Sequence, residues 1–134
     1  MSALAADRNT PLKDGEIIAV PVATGVKIFA GALVAASATG FATPGATATT
    51  LTYLGRAEAQ ADNTTGANGA ISVQVRRNKA FKFANLGADL VVQADLGKNC
   101  YIVDDQTVAK TSGGSTRSVA GKVLGVESDG VWVE

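Results

Sequence analysis

The sequence predicts a small all-β domain, a single-domain barrel or sandwich of short strands preceded by an extended N-terminal arm. Apolar residues alternate with period two in several short runs, and clusters of Gly, Pro, Asn and Asp interrupt those runs at close intervals. No apolar stripe of period 3.6 persists long enough for a convincing helix. The 134 residues, 46% of them apolar and 18% charged, amount to about one domain. That is enough to bury a core without a disulfide or a metal.

Residues 1–15 mix Ala, Asp7, Arg8, Asn9, Pro11, Lys13 and Asp14 with little apolar periodicity and read as the arm; residues 16–134 read as the domain. From Glu16 the pattern turns β. Ile18, Val20 and Val22 share one parity, and Pro21 on the other suits an edge strand or a strand end. After Gly25, residues 26–29 and 31–35 read as two short strands. Ala content would permit a helix over 35–50, but Thr39, Gly40, Thr43, Pro44, Gly45, Thr47, Thr49 and Thr50 each lower helix propensity, so this stretch is expected to be loop. A strand follows at 51–57, then a clear loop at 62–69. Ile71, Val73 and Val75 alternate with polar residues, Arg77-Asn78-Lys79 interrupts, and Phe81 and Phe83 resume the alternation, which predicts a β-hairpin. Leu90-Val91-Val92 is expected as a short strand. Residues 101–103 and 107–109 flank a turn at 104–106, residues 111–116 form a loop, and 119–127 and 131–133 bracket Ser128-Asp129-Gly130 as a further hairpin.

Composition excludes several chemistries. Twelve basic and twelve acidic residues cancel, so no net field gathers nucleic acid or anionic lipid, and neither is expected as a partner. The chain has no histidine, which removes Ser-His-Asp and Cys-His catalysis and the usual zinc sets. No enzymatic activity and no cofactor are expected. Cys100, the single cysteine, sits in a strand-like run and reads as a small core side chain. Residues 28–41, the nearest approach to a membrane or signal segment, are too short and too rich in Ala, Gly, Ser and Thr to serve as either.

Each remaining chemical motif has a simpler reading. Asp104 and Asp105 would point to opposite faces of a strand or into water from a turn, so they do not form a two-carboxylate site. The loop from Asp62 fails the calcium-loop pattern at Thr64, Gly66, Ala67 and Val73, and Asx-turn chemistry accounts for it. Gly113-Gly114-Ser115 lacks the spacing of a phosphate loop. Arg76, Arg77, Lys79 and Lys82, interleaved with Phe81 and Phe83, read as a solvated hairpin face or a contact for an acidic protein. Trp132 reads as a core or subunit-interface anchor.

The pattern of the chain over residues 8–134 resembles the decoration, or cement, proteins of tailed-bacteriophage heads. The resemblance rests on Ala30-Gly31-Ala32-Leu33-Val34 after a Pro-Val-Ala segment, Asp62-Asn63-Thr64-Thr65-Gly66-Ala67, Cys100-Tyr101-Ile102-Val103-Asp104-Asp105, Ala120-Gly121-Lys122-Val123 and Asp129-Gly130-Val131-Trp132-Val133. It implies a β-rich homotrimer on the outer surface of the virion head, assembled in the host cytoplasm, that clamps neighbouring copies of the major capsid protein. It also implies an arm contact with the shell through Leu4, Arg8, Asn9, Pro11 and Leu12. Arg76, Arg77 and Trp132 are the positions expected at a subunit interface. A tail-associated or host-surface carbohydrate-binding β module is the alternative, with Trp132, Tyr53, Tyr101 and the phenylalanines as its stacking groups.

Overall fold

The structure is a computed structural model that describes residues 2–134. It is all-β, as the alternation predicts. Strands β1 (Ile17–Pro21), β2 (Lys27–Ile28), β3 (Leu33–Ala36), β4 (Ala42–Pro44), β5 (Thr52–Ala57), β6 (Ala61–Asp62) and β7 (Ser72–Arg76) come first. Strands β8 (Phe81–Asn85), β9 (Asn99–Ile102), β10 (Thr107–Ala109), β11 (Val119–Glu127) and β12 (Gly130–Val133) follow. The later strands close into a barrel in the order β10-β8-β12-β11-β9. The earlier ones form a five-stranded sheet, β1-β7-β5-β3-β4, and a two-stranded ribbon, β2-β6.

Two apolar cores result, and β3 separates them. Leu33 and Ala35 pack with Phe81, Phe83, Cys100, Ile102, Val108, Val123, Val131 and Val133 inside the barrel. Val34, one step out of phase, packs with Val20, Val22, Ile28, Val73 and Val75 in the second core. Successive strand side chains point to opposite faces, so a run that is apolar at both parities is what a wall between two cores requires.

Three strand pairings skip a residue, at Leu54 between β3 and β5, at Ala120 between β9 and β11, and at Leu124 between β11 and β12. A glycine follows each bulge: Gly55, Gly121 and Gly125. At Gly55, where φ is +151°, a Cβ would overlap the carbonyl of Arg76, and at Gly121 one would overlap the carbonyl of Glu134. Bulges bend and twist a strand, which is how a short sheet curls far enough to close.

Three expectations need correction. β7 and β8 are not a hairpin: β7 pairs with β1 and β5, whereas β8 pairs with β12 and β10. Residues 77–80 carry the chain from the sheet to the barrel, with Asn78 at φ 60°. Leu90-Val91-Val92 is not a strand but lies between two single 3-10 turns, Gly87–Asp89 and Gln93–Asp95. The Asn85 side chain donates to the Val91 carbonyl (2.8 Å) and accepts from the Val91 N–H (2.9 Å), occupying the groups a ladder would need. The expected loop over 35–50 contains β4, a three-residue strand ending in Pro44 and paired with β3.

Candidate functional site

The arm is the first candidate. Residues 2–15 form no strand or helix and are all exposed. Leu4 and Leu12 are 74% and 94% exposed. Among the described residues, no side chain of Leu4, Arg8, Asn9, Pro11 or Leu12 makes a hydrogen bond or ion pair; the local order is one bond from the Thr10 N–H to the Arg8 carbonyl at 3.1 Å. All five residues expected to touch a partner are therefore uncovered on one extended segment. At about 3.3 Å per residue such a segment reaches some tens of ångströms from the body.

Arg76, Arg77 and Trp132 do not form one patch. Arg76 closes β7 and is paired within the chain at the surface: Nε lies 2.9 Å from Glu58 Oε1 and Nη1 lies 3.0 Å from Glu16 Oε1. Arg56 meets Glu58 as well, at 2.5 Å, and stacks its guanidinium 4.9 Å from the Phe81 ring centre. Hydrogen bonds from Arg76 and Arg56 hold the Glu58 carboxyl below its usual range. Lys79 reaches Glu16 at 3.1 Å. Arg77 alone of the cluster has no ion pair among the described residues, and it lines a 190 Å³ notch with Asn78, Lys79 and Glu134.

Trp132 faces outward, because Val131 and Val133 take the inward parity of β12. It is half-buried rather than a core residue, which corrects that half of its expected role. Its Nε1 donates to Glu127 Oε1 at 3.0 Å, and Lys82 Nζ stands 5.7 Å from its ring centre. Lys82 also holds Asp129 at 2.7 Å, a hydrogen bond that lowers the Asp129 carboxyl and raises the Lys82 ammonium. The basic cluster of the sequence is thus largely neutralised by its own neighbours, with Arg77 the member that has no ion pair among the described residues.

The other motifs are structural. Asp104 accepts the Gln106 N–H at 2.9 Å within a turn. Asp62 accepts both the N–H (3.1 Å) and the hydroxyl (2.8 Å) of Thr64, as an Asx turn does. Cys100 is fully buried in the barrel, and burial pushes its thiol up to about 11. Such a thiol stays protonated and unreactive at neutral pH. Among the described residues, no three Cys, Asp or Glu side chains converge as a metal site.

Sequence reasoning missed the apolar surface outside the arm. Phe29, Leu90, Leu96 and Leu124 are each about half exposed, and Leu90 and Val92 line a 480 Å³ groove with Val126 and Asn85. The signal was present at Phe29, whose parity opposes the buried Ile28. No protein-family model, characterised protein or solved structure matches the chain.

Proposed function

We propose that this chain is a decoration protein of a tailed-bacteriophage head, binding the outer surface of the expanded shell as a trimer and stabilising it against internal DNA pressure. The observation that carries the reading is the uncovered arm. Two leucines almost wholly in water on an extended segment gain free energy when a partner covers them, about 1.5–3 kcal/mol for each side chain fully buried. The arm is the grip, and the major capsid protein is the partner it grips.

A protein that binds only the assembled shell stabilises that state by mass action, by about 2.7 kcal/mol per site at a hundredfold excess over its Kd. A trimer engaging several shell subunits adds the gain of effective concentration. Neither effect needs a catalytic group or a net charge. The test is cosedimentation of the full chain and of a variant lacking residues 2–14 with purified expanded heads. Loss of roughly tenfold or more in affinity with the arm removed is expected, the equivalent of burying one of the leucines. Equal binding by the truncated chain removes the arm from the mechanism. Binding to a glycan array with none to heads replaces this reading with that of a carbohydrate-binding module.

A further inference from the structure

The outer edge of β1 is an unfinished sheet. The β1–β7 ladder is bracketed by the Arg77 N–H on the Glu16 carbonyl (2.8 Å) and the Val22 N–H on the Ile71 carbonyl (2.9 Å), with Ile18 opposite Val75 and Val20 opposite Val73. Polar groups alternate sides along an antiparallel strand. Glu16, Ile18, Val20 and Val22 therefore face β7, and Ile17, Ala19 and Pro21 turn their backbone groups outward.

Pro21 has no N–H to offer, and the parallel bridge between Val22 and Ala42, with the Ala23 N–H on the Ala42 carbonyl at 2.9 Å, brings β4 across that end of the edge. What remains open is one N–H and one C=O on each of Ile17 and Ala19, both exposed residues. The other margins are protected. The barrel is closed, β4 is short and ends in Pro44, and the β2-β6 ribbon has two residues per strand and carries Lys27 and Asp62. β1 also ends in a proline, but it carries no charged residue between Ile17 and Pro21, so the Ile17–Ala19 stretch has no charge to oppose edge pairing.

We infer that a second copy of this chain pairs with this edge, β1 against β1 in antiparallel fashion about a twofold axis at Ile18. In that register Ile17 of each copy lies opposite Ala19 of the other. The four N–H and four C=O groups of the two open edges reduce to two mutually bonded pairs, and none is left over. A register centred on Ala19 would instead set Ile17 against Pro21, which has no donor and is flanked by β4. The twofold arrangement also puts the half-exposed Ile17 beside an apolar neighbour and brings the two Ile18 side chains together on the inner face. The contact is isologous and closes on itself. It does not depend on the trimer proposed above, because it uses one edge of each chain and no other copy.

The experiment measures the mass of the full chain by sedimentation over a concentration series, for the native sequence and for Ala19→Pro. Proline at 19 removes an outward N–H and leaves the ladder to β7 intact. The expected result is an assembly whose mass falls by half in the variant, from dimer to monomer or from hexamer to trimer. Equal masses overturn the inference. Ile18→Cys gives a second measurement that holds even if Ala19→Pro fails to fold. At a non-hydrogen-bonded pair the Cα atoms sit about 4.5 Å apart, within disulfide reach. Under mild oxidation Ile18→Cys should form a covalent dimer roughly tenfold or more faster than the exposed control Gln106→Cys, because pairing raises the effective thiol concentration. Equal rates overturn the inference. Unchanged head binding by Ala19→Pro, alongside the halved mass, leaves the decoration reading standing by itself.

Discussion

Asn63 shows how much one buried side chain can organise. It is 2% exposed, and its Nδ2 donates to the carbonyls of Val22 (3.2 Å), Ala23 (2.9 Å) and Ala67 (3.0 Å). Its backbone exchanges bonds with Val26 and Gly25. The loop at 62–69 is thus stitched to the turn after β1 by one side-chain amide. Asn63→Ala leaves the Ala23 carbonyl without a donor, whereas those of Val22 and Ala67 keep the N–H groups of Gly69 and Ala70, and should cost about 1–3 kcal/mol in urea unfolding. Asn63→Asp, which turns a carboxylate toward the same oxygens, should be less stable still at neutral pH. Equal stability of Asn63→Ala and the native chain would mean that water replaces the amide.

Asp89 is one of four carboxylates, with Glu58, Asp62 and Asp129, through which acid should act. Its carboxyl accepts the Thr111 hydroxyl at 2.6 Å, the Thr111 N–H at 3.1 Å and Arg117 Nη1 at 2.9 Å. The hydroxyl bond contributes most, and the carboxyl is held below its ordinary value. A carboxyl lowered in the folded state binds protons more readily when unfolded. Its stabilisation is therefore complete above about pH 4, the ordinary aspartate value, and is lost as pH falls through the folded value. Asp89→Asn should flatten the decline of stability below about pH 4, read from urea midpoints across pH. An unchanged slope would assign the acid sensitivity to other carboxylates, such as Glu58.

At the scale of elements, the bulge glycines decide whether strands can curl into closed walls. Gly121 lies against the backbone of Glu134, where a methyl group has no room and the obstacle is a carbonyl rather than a flexible side chain. Gly121→Ala should cost about 1–3 kcal/mol, the usual range for forcing extra volume into a packed site. Gly125, whose Cβ would stand 3.3 Å from Trp132, should tolerate alanine better because the indole can shift. Comparison of the two thermal midpoints checks this order. β3 makes a related point: it is apolar at both parities, and both of its faces are covered, by different cores.

For the molecule as a whole, the arm and the body are energetically separate. Residues 2–15 are exposed throughout and reach the body's first strand through one local bond, from the Glu16 N–H to Asp14 Oδ1 at 3.1 Å. Removing residues 2–14 should leave the urea midpoint within about 0.5 kcal/mol of the native value, as expected of changes away from any packed or bonded feature. A larger loss would show that the arm packs on the body in solution. The charge pattern separates in the same way. Arg77→Glu should have little effect on stability, because Arg77 has no ion pair among the described residues, whereas Arg76→Ala should lower the urea midpoint because Glu16 and Glu58 lose their shared partner.

Period-two alternation, turn residues and the missing helical stripe were sufficient by themselves to determine an all-β chain with an exposed arm, the inward parity of Phe81 and Phe83, the turn after β9, the last hairpin and a buried Cys100. These are local properties, written in neighbouring residues. Partner choice was not legible, because parity says which face of a strand is apolar but not which strand lies beside it. Only the tertiary structure separated β7 from β8, gave the groups of Val91 to Asn85, turned Trp132 outward, neutralised Arg76 against Glu16 and Glu58, and left the Ile17–Ala19 edge open. The strand partners and the ion pairs of Arg76 depend on residues distant in sequence that meet only when both cores close, whereas the Asn85–Val91 bonds and the outward Trp132 are local features that alternation alone did not single out.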